Sequence, residues 1–258
     1  MRPRLLAAGR LGMLAVAGAM ALPGGCRGGG ERSPTAENSS GGGPRLGAHA
    51  LAYYRMNYTA SGNASPISTP PMATQPSGST MVVSVGRGML SAFDPPSDNK
   101  GNGPYAQLDA PHPYSQWRNS GTALYARPRA TGGSGHVVRA STPPVDEITL
   151  AAVEVVNGSV IQDFQWNEVP AGSPLTSRRV TTTGPALLVA FWWGDAGVRE
   201  DKTAEPDNGF VVADSVLAAG ELVQCAVATR AVSAAGTYDV TWAATPRQGA
   251  QLWLVAVQ

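Results

Sequence analysis

The feature that most constrains the fold of this chain is an internal repeat between residues 50–157 and 160–258. Short segments of the first stretch recur in the same order in the second. The matched segments are 54–57 with 164–167, 65–69 with 173–177, 80–85 with 185–190, 102–105 with 208–210, 135–143 with 236–246, and 148–155 with 252–258. Because the matches stay collinear, we expect two copies of one structural unit.

The repeated segments have the pattern of β-strands. Residues 236–242 alternate, with Tyr238, Val240 and Trp242 on one face, which is typical of a strand with one wet face. Residues 186–193 and 252–257 are apolar on both faces, as expected for central strands that are covered twice. Charged residues make up only 14% of the chain, and 31 Gly and 21 Pro punctuate it, which favours an all-β fold over a helical one.

The predicted fold is all-β, with two internally duplicated, closely packed β-sandwich units after a disordered N-terminal tether. Either each half is an immunoglobulin-like sandwich, or the two halves fuse into one jelly roll. Two tightly packed units are favoured, because the halves join without a Gly/Ser/Pro spacer. The predicted divisions are a signal peptide over 1–26, a flexible linker over 27–46, and sandwich repeats over 47–157 and 158–258.

The N-terminus predicts export. Basic residues precede the apolar run 11–22, which is too short to span a bilayer as a mature helix. Cys26 follows small residues and resembles the acylated cysteine of a bacterial lipoprotein signal. The usual Leu three residues before that cysteine is replaced by Pro23. The alternative is ordinary cleavage after Ala21, which leaves Cys26 a free thiol. Cys225 is predicted to be a buried thiol.

Three segments carry a wider resemblance: 98–105, 120–125, and 148–155 with the following 173–175. Together they resemble secreted bacterial β-sandwich modules of unassigned function, of the kind found in cell-surface and phage-like proteins. The resemblance covers most of residues 50–258. It implies a surface module and supplies no catalytic residues.

A loop over 111–121 is the candidate ligand site. Tyr114 and Trp117 are the pair expected to be exposed, and exposed aromatic faces pack against the apolar faces of sugar rings. Core packing is the favoured interpretation for Tyr114, Trp117, Trp192 and Trp193 taken together. Gln116 and Asn119 carry amides that can bind hydroxyl groups. Of Trp192 and Trp193, which face opposite sides of one strand, at least one is expected in the core.

Two acidic loops raise calcium binding as an alternative, because calcium takes oxygen ligands from carboxylates, amides and carbonyls. They contain Asp94, Asp98, Asn99 and Asn102, and Asp195, Glu200, Asp201, Asp207 and Asn208. Turn formation is the favoured interpretation, since Asp and Asn suit turns between strands and since Lys100 and Lys202 lie in these loops. No metal site and no cofactor are predicted.

Catalysis is the minority interpretation. Asn167-Glu168 invites a glycosidase hypothesis, but Asn57-Tyr58, its match in the sequence, lacks the carboxylate. His49, His112 and His136 have no metal-ligand spacing, and nucleophile and phosphate-binding motifs are absent from the sequence. The net charge of +1 gives no indication of a nucleic-acid surface.

The sequence therefore predicts a non-catalytic binding or adhesion module, exported and tethered at the outer membrane or cell surface, or else periplasmic or extracellular. The expected partners are a polysaccharide or a cell-surface protein, with the membrane contacted only through a lipid anchor and no nucleic acid bound. The alternative is a structural or assembly protein of the cell surface or of a phage-like particle. A secreted carbohydrate-active enzyme centred on Glu168 is the third hypothesis.

Overall fold

The computed structural model describes residues 42–54, 66–88, 93–141, 147–195, 201–217, 223–245 and 247–258. Within these residues the chain forms strands and no helix. The strands of the first half are β1 (Arg45–Tyr54), β2 (Ile67–Ser68), β3 (Ser77–Arg87), β4 (Ser97–Asp98), β5 (Ala106–Gln107), β6 (His112–Pro113), β7 (Gly121–Thr131), β8 (Val138–Ala140) and β9 (Ile148–Val156). Those of the second half are β10 (Ile161–Val169), β11 (Leu175–Thr176), β12 (Val180–Thr182), β13 (Ala186–Asp195), β14 (Thr203–Pro206), β15 (Val211–Val216), β16 (Val223–Val232), β17 (Gly236–Tyr238), β18 (Thr241–Thr245) and β19 (Ala250–Val257).

Each half builds one large antiparallel sheet and a smaller sheet region. The first large sheet has the order β1-β9-β3-β7-β5, with β6 also paired to β7, and the second has the order β10-β19-β13-β16-β15. The small sheets are β2-β8-β4 in the first half, and β11-β18-β14 and β12-β17 in the second. Every strand pair in the described residues lies within one half.

The two halves repeat the same topology down to its irregularities. The β1–β9 ladder shifts register after Leu46, and the β10–β19 ladder shifts after Ile161, at the equivalent place. An isolated bridge between Met72 and His136 takes the place of the short β12–β17 ladder. The prediction of two duplicated, closely packed sandwich units in an all-β chain is confirmed.

The strand order fits neither of the two sandwich types expected from the sequence, an immunoglobulin-like sandwich in each half or one fused jelly roll. In each half the first and last strands are neighbours in the large sheet, and the chain crosses to the small sheet directly after the first strand. An immunoglobulin sandwich instead keeps its first two strands in one sheet. Each half is therefore a jelly-roll-like sandwich. The halves do not fuse into a single jelly roll.

The ladder registers correct three matches made from the sequence. Residues 80–85 align with 187–192 rather than with 185–190, and residue 148 aligns with 250 rather than with 252. The registers also align Asn167 and Glu168 with Ala52 and Tyr53, rather than with Asn57 and Tyr58. Residues 55–65 lie outside the described residues. The match at Asn167-Glu168 was displaced because the connection after β1 is longer than the connection after β10. An alignment made without the strand pairing places residues of the longer connection opposite residues of strand β10.

Four layers result, because the two large sheets pack face to face and each carries a small sheet on its outer side. The central core combines residues of both halves, such as Val82 and Val153 with Val189 and Val255. One outer core lies between the first large sheet and β2 and β8, and the other between the second large sheet and β11, β12, β14 and β18. Strands β9 and β19 are consequently buried along their whole length, as predicted for 252–257.

Complementary side-chain sizes join the two large sheets. The registers make Gly86, Ser84 and Ala151 in the first half equivalent to Trp193, Phe191 and Trp253 in the second. The first set is small and the second set is large, so the aromatic side chains of one sheet fill the space left by the other. The fit is closest at Gly86, where an added Cβ would overlap the Trp193 indole.

Two boundaries differ from the sequence predictions. The single strand predicted over 236–242 is divided into β17 and β18, because Val240 between them exchanges hydrogen bonds with Ser177. Strand β1 begins at Arg45, inside the segment predicted as linker over 27–46. The predicted signal peptide and Cys26 lie outside the described residues.

The contact between Gly86 and Trp193 gives a direct test of the central packing. We expect Gly86→Ala to lower the free energy of unfolding by about 1–3 kcal/mol, because a methyl group forced into a filled core displaces its neighbours. Urea denaturation measures the change. Gly184→Ala is the matched control, since its added Cβ would meet only the Gln258 side-chain nitrogen at 3.4 Å. Equal stability of the two variants would contradict this packing.

Candidate functional site

The structure places the predicted ligand residues unequally. Tyr114 is only 2% exposed, so the prediction that it forms an exposed pair with Trp117 is wrong. Its ring packs edge-on against Trp193, with centroids 5.9 Å apart, and its hydroxyl donates to Gln116 Oε1 at 3.3 Å. The Tyr114 side chain thus packs in the central core. Its position in a predicted loop did not indicate that it points inward.

Trp117 is 48% exposed, and Gln116 and Asn119 beside it are also exposed. The Trp117 carbonyl accepts hydrogen bonds from the Ser120 amide at 2.8 Å and the Ser120 hydroxyl at 2.9 Å, which closes a tight turn. We call residues 115–120 the Trp117 loop. It presents one aromatic face and two amide side chains on a constrained backbone.

Glu168 anchors the Trp117 loop to the second half. Its carboxylate accepts hydrogen bonds from the Ser115 backbone amide at 3.0 Å, from the Ser115 hydroxyl, and from Gln251 Nε2 at 3.3 Å. His112 stacks on Trp166 next to this contact, with centroids 3.7 Å apart. The side chain proposed as a catalytic acid is therefore engaged in a contact between the halves. Asn167 is structural as expected, since it bonds Thr176 and Arg178.

A pocket of about 350 Å³ opens in the second half, and sequence reasoning did not find it. It is lined by residues 172–175, 242–245 and 247–248, which belong to the β10–β11 loop, the start of β11, β18 and the β18–β19 connection. Gly249, which follows the lining residue Gln248, packs against Tyr114, since an added Cβ would meet the Tyr114 hydroxyl at 2.6 Å. We call this cavity the second-sandwich pocket.

Two residues of the pocket lining, Gln248 and Trp242, carry buried polar atoms without a hydrogen-bond partner among the described residues. Gln248 is only 3% exposed, and neither its side-chain nitrogen nor its oxygen has a hydrogen-bond partner among the described residues. The same holds for the buried indole nitrogen of Trp242. Buried polar groups are almost always hydrogen-bonded, and an unpaired one costs about 1–3 kcal/mol. These atoms have almost no accessible surface, and the Gln248 amide packs against Gly194, so they lie behind the pocket surface rather than in the open cavity.

The two halves differ at the ends of strands β3 and β13. Gly194 is equivalent to Arg87, and an added Cβ on Gly194 would overlap the Gln248 amide. Arg87 is buried and lies over the Phe93 ring, 5.8 Å from its centroid. A long side chain thus lies at this position in the first half, whereas in the second half the Gln248 amide packs against the glycine.

The first acidic loop is a closed hydrogen-bond network. Asp98 accepts from the Lys100 amide at 2.8 Å, Asn102 Nδ2 at 2.6 Å and the Tyr105 hydroxyl at 2.8 Å, and it pairs with His136 Nε2 at 3.1 Å. The other His136 ring nitrogen lies 3.0 Å from the Thr74 hydroxyl. These protein donors occupy the carboxylate oxygens that calcium would need, so turn formation accounts for this loop.

The second acidic loop is described only in part. Asp207 accepts a hydrogen bond from the Thr241 amide at 2.7 Å, and Glu200 lies outside the described residues. Within the described part of the chain, no three His, Cys, Asp or Glu residues come together as a possible metal site. His49 instead lies 3.7 Å from Asp214.

Three further side chains lie in the core. Trp192 and Trp193 are both buried, whereas the sequence predicted that at least one of them lies in the core. Cys225 faces the central core, and burial, together with the nearby Asp214 carboxylate, raises the pKa of its thiol to about 12. The thiolate is therefore scarce at neutral pH, which makes this cysteine unreactive.

Comparison of the chain with protein-family models, with curated proteins and with solved structures found no match. Among the described residues, no helix has the length and apolar character needed to cross a membrane. Function must therefore be inferred from the site itself.

The Asp98 network predicts a pH-dependent contribution to stability. Burial acts to raise the pKa of Asp98, but hydrogen bonds from Asn102, Tyr105 and the Lys100 amide outweigh it and hold the pKa below its ordinary value. A carboxyl group with a lowered pKa stabilises the fold above its unfolded pKa of about 3.9, and the contribution is lost as the pH falls through the folded pKa.

We expect Asp98→Asn to lower the free energy of unfolding by about 1–3 kcal/mol at pH 5, because hydrogen bonds to a charged carboxylate are lost. The difference from the wild type should shrink as the pH falls below the unfolded pKa of about 3.9. Urea titrations at several pH values measure it. A difference that stays constant over this range would contradict the assignment.

Proposed function

We propose that this protein is an exported, surface-tethered, non-catalytic module that binds polysaccharide through the Trp117 loop. The observation that carries the proposal is the 48% exposed indole of Trp117, flanked by the exposed amides of Gln116 and Asn119. An exposed indole offers a flat apolar face to a sugar ring, and the amides supply donors and acceptors for its hydroxyl groups.

The restrained backbone of the Trp117 loop supports a binding role for the exposed Trp117 side chain. The Ser115–Glu168 contact and the Ser120–Trp117 turn hold its backbone before any ligand arrives. A preorganised site loses less conformational entropy on binding than a mobile one. Jelly-roll sandwiches also serve as lectin domains, which is an analogy of fold and not of site.

The proposed location follows from the N-terminal sequence. Residues 1–26 are proposed to direct export, with Cys26 as the lipidated residue and 27–46 as the tether at the outer membrane or cell surface. Release into the periplasm or outside the cell is the alternative if Cys26 stays a free thiol. In either case the ligand is proposed to be met outside the cytoplasm.

Replacing Trp117 tests the binding proposal. We expect Trp117→Ala to weaken polysaccharide binding about fivefold, which corresponds to about 1 kcal/mol for one lost aromatic contact. Affinity electrophoresis of the purified protein in gels that contain bacterial or plant polysaccharides measures the change. Val160→Ala is the control, because Val160 is 50% exposed and lies outside the loop. If both variants bind as the wild type does, the loop is not the site.

One observation favours assembly as a second candidate function. Strand β15 ends the second large sheet and exposes Val211 at 69% and Val212 at 39%. An apolar edge strand can pair with a strand of another chain, and a lysine placed on such an edge blocks pairing.

For assembly, we expect Val211→Lys to raise the concentration of half-association at least about tenfold, because a charge must then be buried at the strand edge. Sedimentation equilibrium over a range of protein concentrations measures it. Thr203→Lys on β14 is the control at an exposed strand position away from this edge. A wild-type protein that stays monomeric throughout would eliminate this candidate.

A further inference from the structure

We propose that strand β18 carries a docking edge for an extended, acidic segment of another protein. The segment pairs its main chain with Ala244 and places one apolar side chain in the second-sandwich pocket. We call residues 243–245 of β18 the open edge. The open edge is separate from the Trp117 loop, so a peptide ligand here goes beyond the polysaccharide binding proposed above.

The two sides of strand β18 are paired unequally. On one side, β14 pairs with residues 242–245, whereas on the other side β11 pairs only with residues 241 and 242. The β11 side is therefore unpaired along the open edge in the described part of the chain. An unpaired strand edge presents main-chain donors and acceptors to which another strand can bind.

The loop before β11 leaves the open edge uncovered because it bonds to itself. If the β11–β18 register continued past Leu175 and Trp242, Ser173 would lie opposite Ala244. The Ser173 amide instead donates to the Pro170 carbonyl at 3.4 Å. Gly172, with a φ of 90°, turns the chain just before this point. The β11 ladder consequently stops two residues short of Ala244.

The hydrogen bonds along β18 show which way the Ala244 main chain points. The Thr241 carbonyl accepts from the Asp207 amide, which lies on the β14 side. The Val240 carbonyl accepts from the Ser177 amide, which lies on the β11 side. Main-chain groups alternate between the two sides of a strand, so the N–H and C=O of Ala244 point to the β11 side. Among the described residues, neither group has a hydrogen-bond partner there.

The second-sandwich pocket lies on the same side, because its lining combines residues 172–175 with residues 242–245. A residue paired with Ala244 would point its side chain to the face on which Ala244 and Trp242 contact the outer core. Leu175 and Trp242 line the pocket at this face and offer apolar surface. Main-chain pairing at a sheet edge, together with a pocket for one side chain, is a recurrent mode of peptide recognition.

The charge of the pocket rim favours an acidic segment. Arg247 is an exposed residue of the lining, and the lining contains no Asp or Glu. Among the described residues, no carboxylate forms an ion pair with Arg247. A rim charge attracts partners of opposite sign and repels partners of like sign. A segment with acidic residues on both sides of its apolar residue therefore fits the open edge best.

The experiment titrates the full-length protein into labelled peptides and follows fluorescence anisotropy. We expect the blocked peptide Glu-Thr-Val-Thr-Glu to bind, with its valine opposite Ala244. The basic counterpart Lys-Thr-Val-Thr-Lys should bind at least about fivefold more weakly, because Arg247 repels it. Methylation of the valine nitrogen removes the donor to the Ala244 carbonyl, and we expect it to weaken binding at least about fivefold as well.

Variants of the protein test the same contact from its other side. Ala244→Pro removes the N–H at the open edge but leaves the bonds to β14, which come from residues 243 and 245. We expect it to weaken binding of the acidic peptide at least about fivefold and to keep the urea midpoint near that of the wild type. Should it fail to fold, Ser173→Trp covers the edge from the exposed rim. Ser68→Trp, at an exposed serine of β2, is the control for the added indole.

A charge reversal tests the rim. Arg247→Glu should favour the basic peptide over the acidic one, since the sign of the rim charge is inverted. Arg139→Glu is the matched control, because Arg139 is exposed on β8 of the first half and undergoes the same change of charge. It should leave the preference for the acidic peptide as it is in the wild type.

The outcomes separate the peptide from other occupants of the open edge. No binding of the acidic peptide, equal binding of its methylated form, or unchanged binding in both Ala244→Pro and Ser173→Trp overturns the docking edge. A preference for the acidic peptide that survives Arg247→Glu overturns the assigned charge. Self-association of the wild type that Ala244→Pro removes, without peptide binding, would assign the edge to a second copy instead. Weaker binding in both edge variants, with a reversed preference in Arg247→Glu, supports the proposal.

Discussion

The face-to-face contact between the two large sheets is the constraint on which the rest of the structure depends. Each large sheet is apolar on both faces, so its outer face needs a small sheet and its inner face needs the other half. Gly86 receives the Trp193 indole, and Ala151 lies at the position that Trp253 occupies in the second half. Size complementarity of this kind fixes how the sheets meet, because protein interiors pack as densely as organic crystals.

The two halves also diverge at the ends of β3 and β13. Arg87 occupies the end of β3 in the first half, while Gly194 at the end of β13 leaves room for the Gln248 amide. A duplicated fold can in this way fill equivalent positions with different side chains and keep the same topology. The Glu168–Ser115 contact adds a polar connection between the halves, because it fixes a loop of the first half against a strand of the second.

Much of the architecture was accessible from the sequence, because it depends on patterns that repeat along the chain. Residues 186–193 are apolar on both faces, and collinear matches reveal the duplication. Local alignment failed where loop lengths differ, as at Asn167-Glu168, since only strand pairing shows which residues are equivalent.

The site was less predictable, because burial is decided by distant residues. Tyr114 and Trp117 look alike in the sequence, but only Tyr114 meets Trp193 from the other half. Gln248 lies just before the apolar strand β19, and a glutamine at that place is a weak signal. Its unsatisfied amide becomes visible only once β18 and the β10–β11 loop are assembled around it.

The double covering of the large sheets also bears on how the chain can be divided. Strands β9 and β10 are joined by a short connection at residues 157–160, which looks like a convenient boundary between two modules. A half released there would expose an entire sheet face, including Trp193 and Trp253 in the second half. Exposed apolar surface of that extent promotes aggregation. The repeat is therefore a unit of topology, and each half needs the other to cover the inner face of its large sheet.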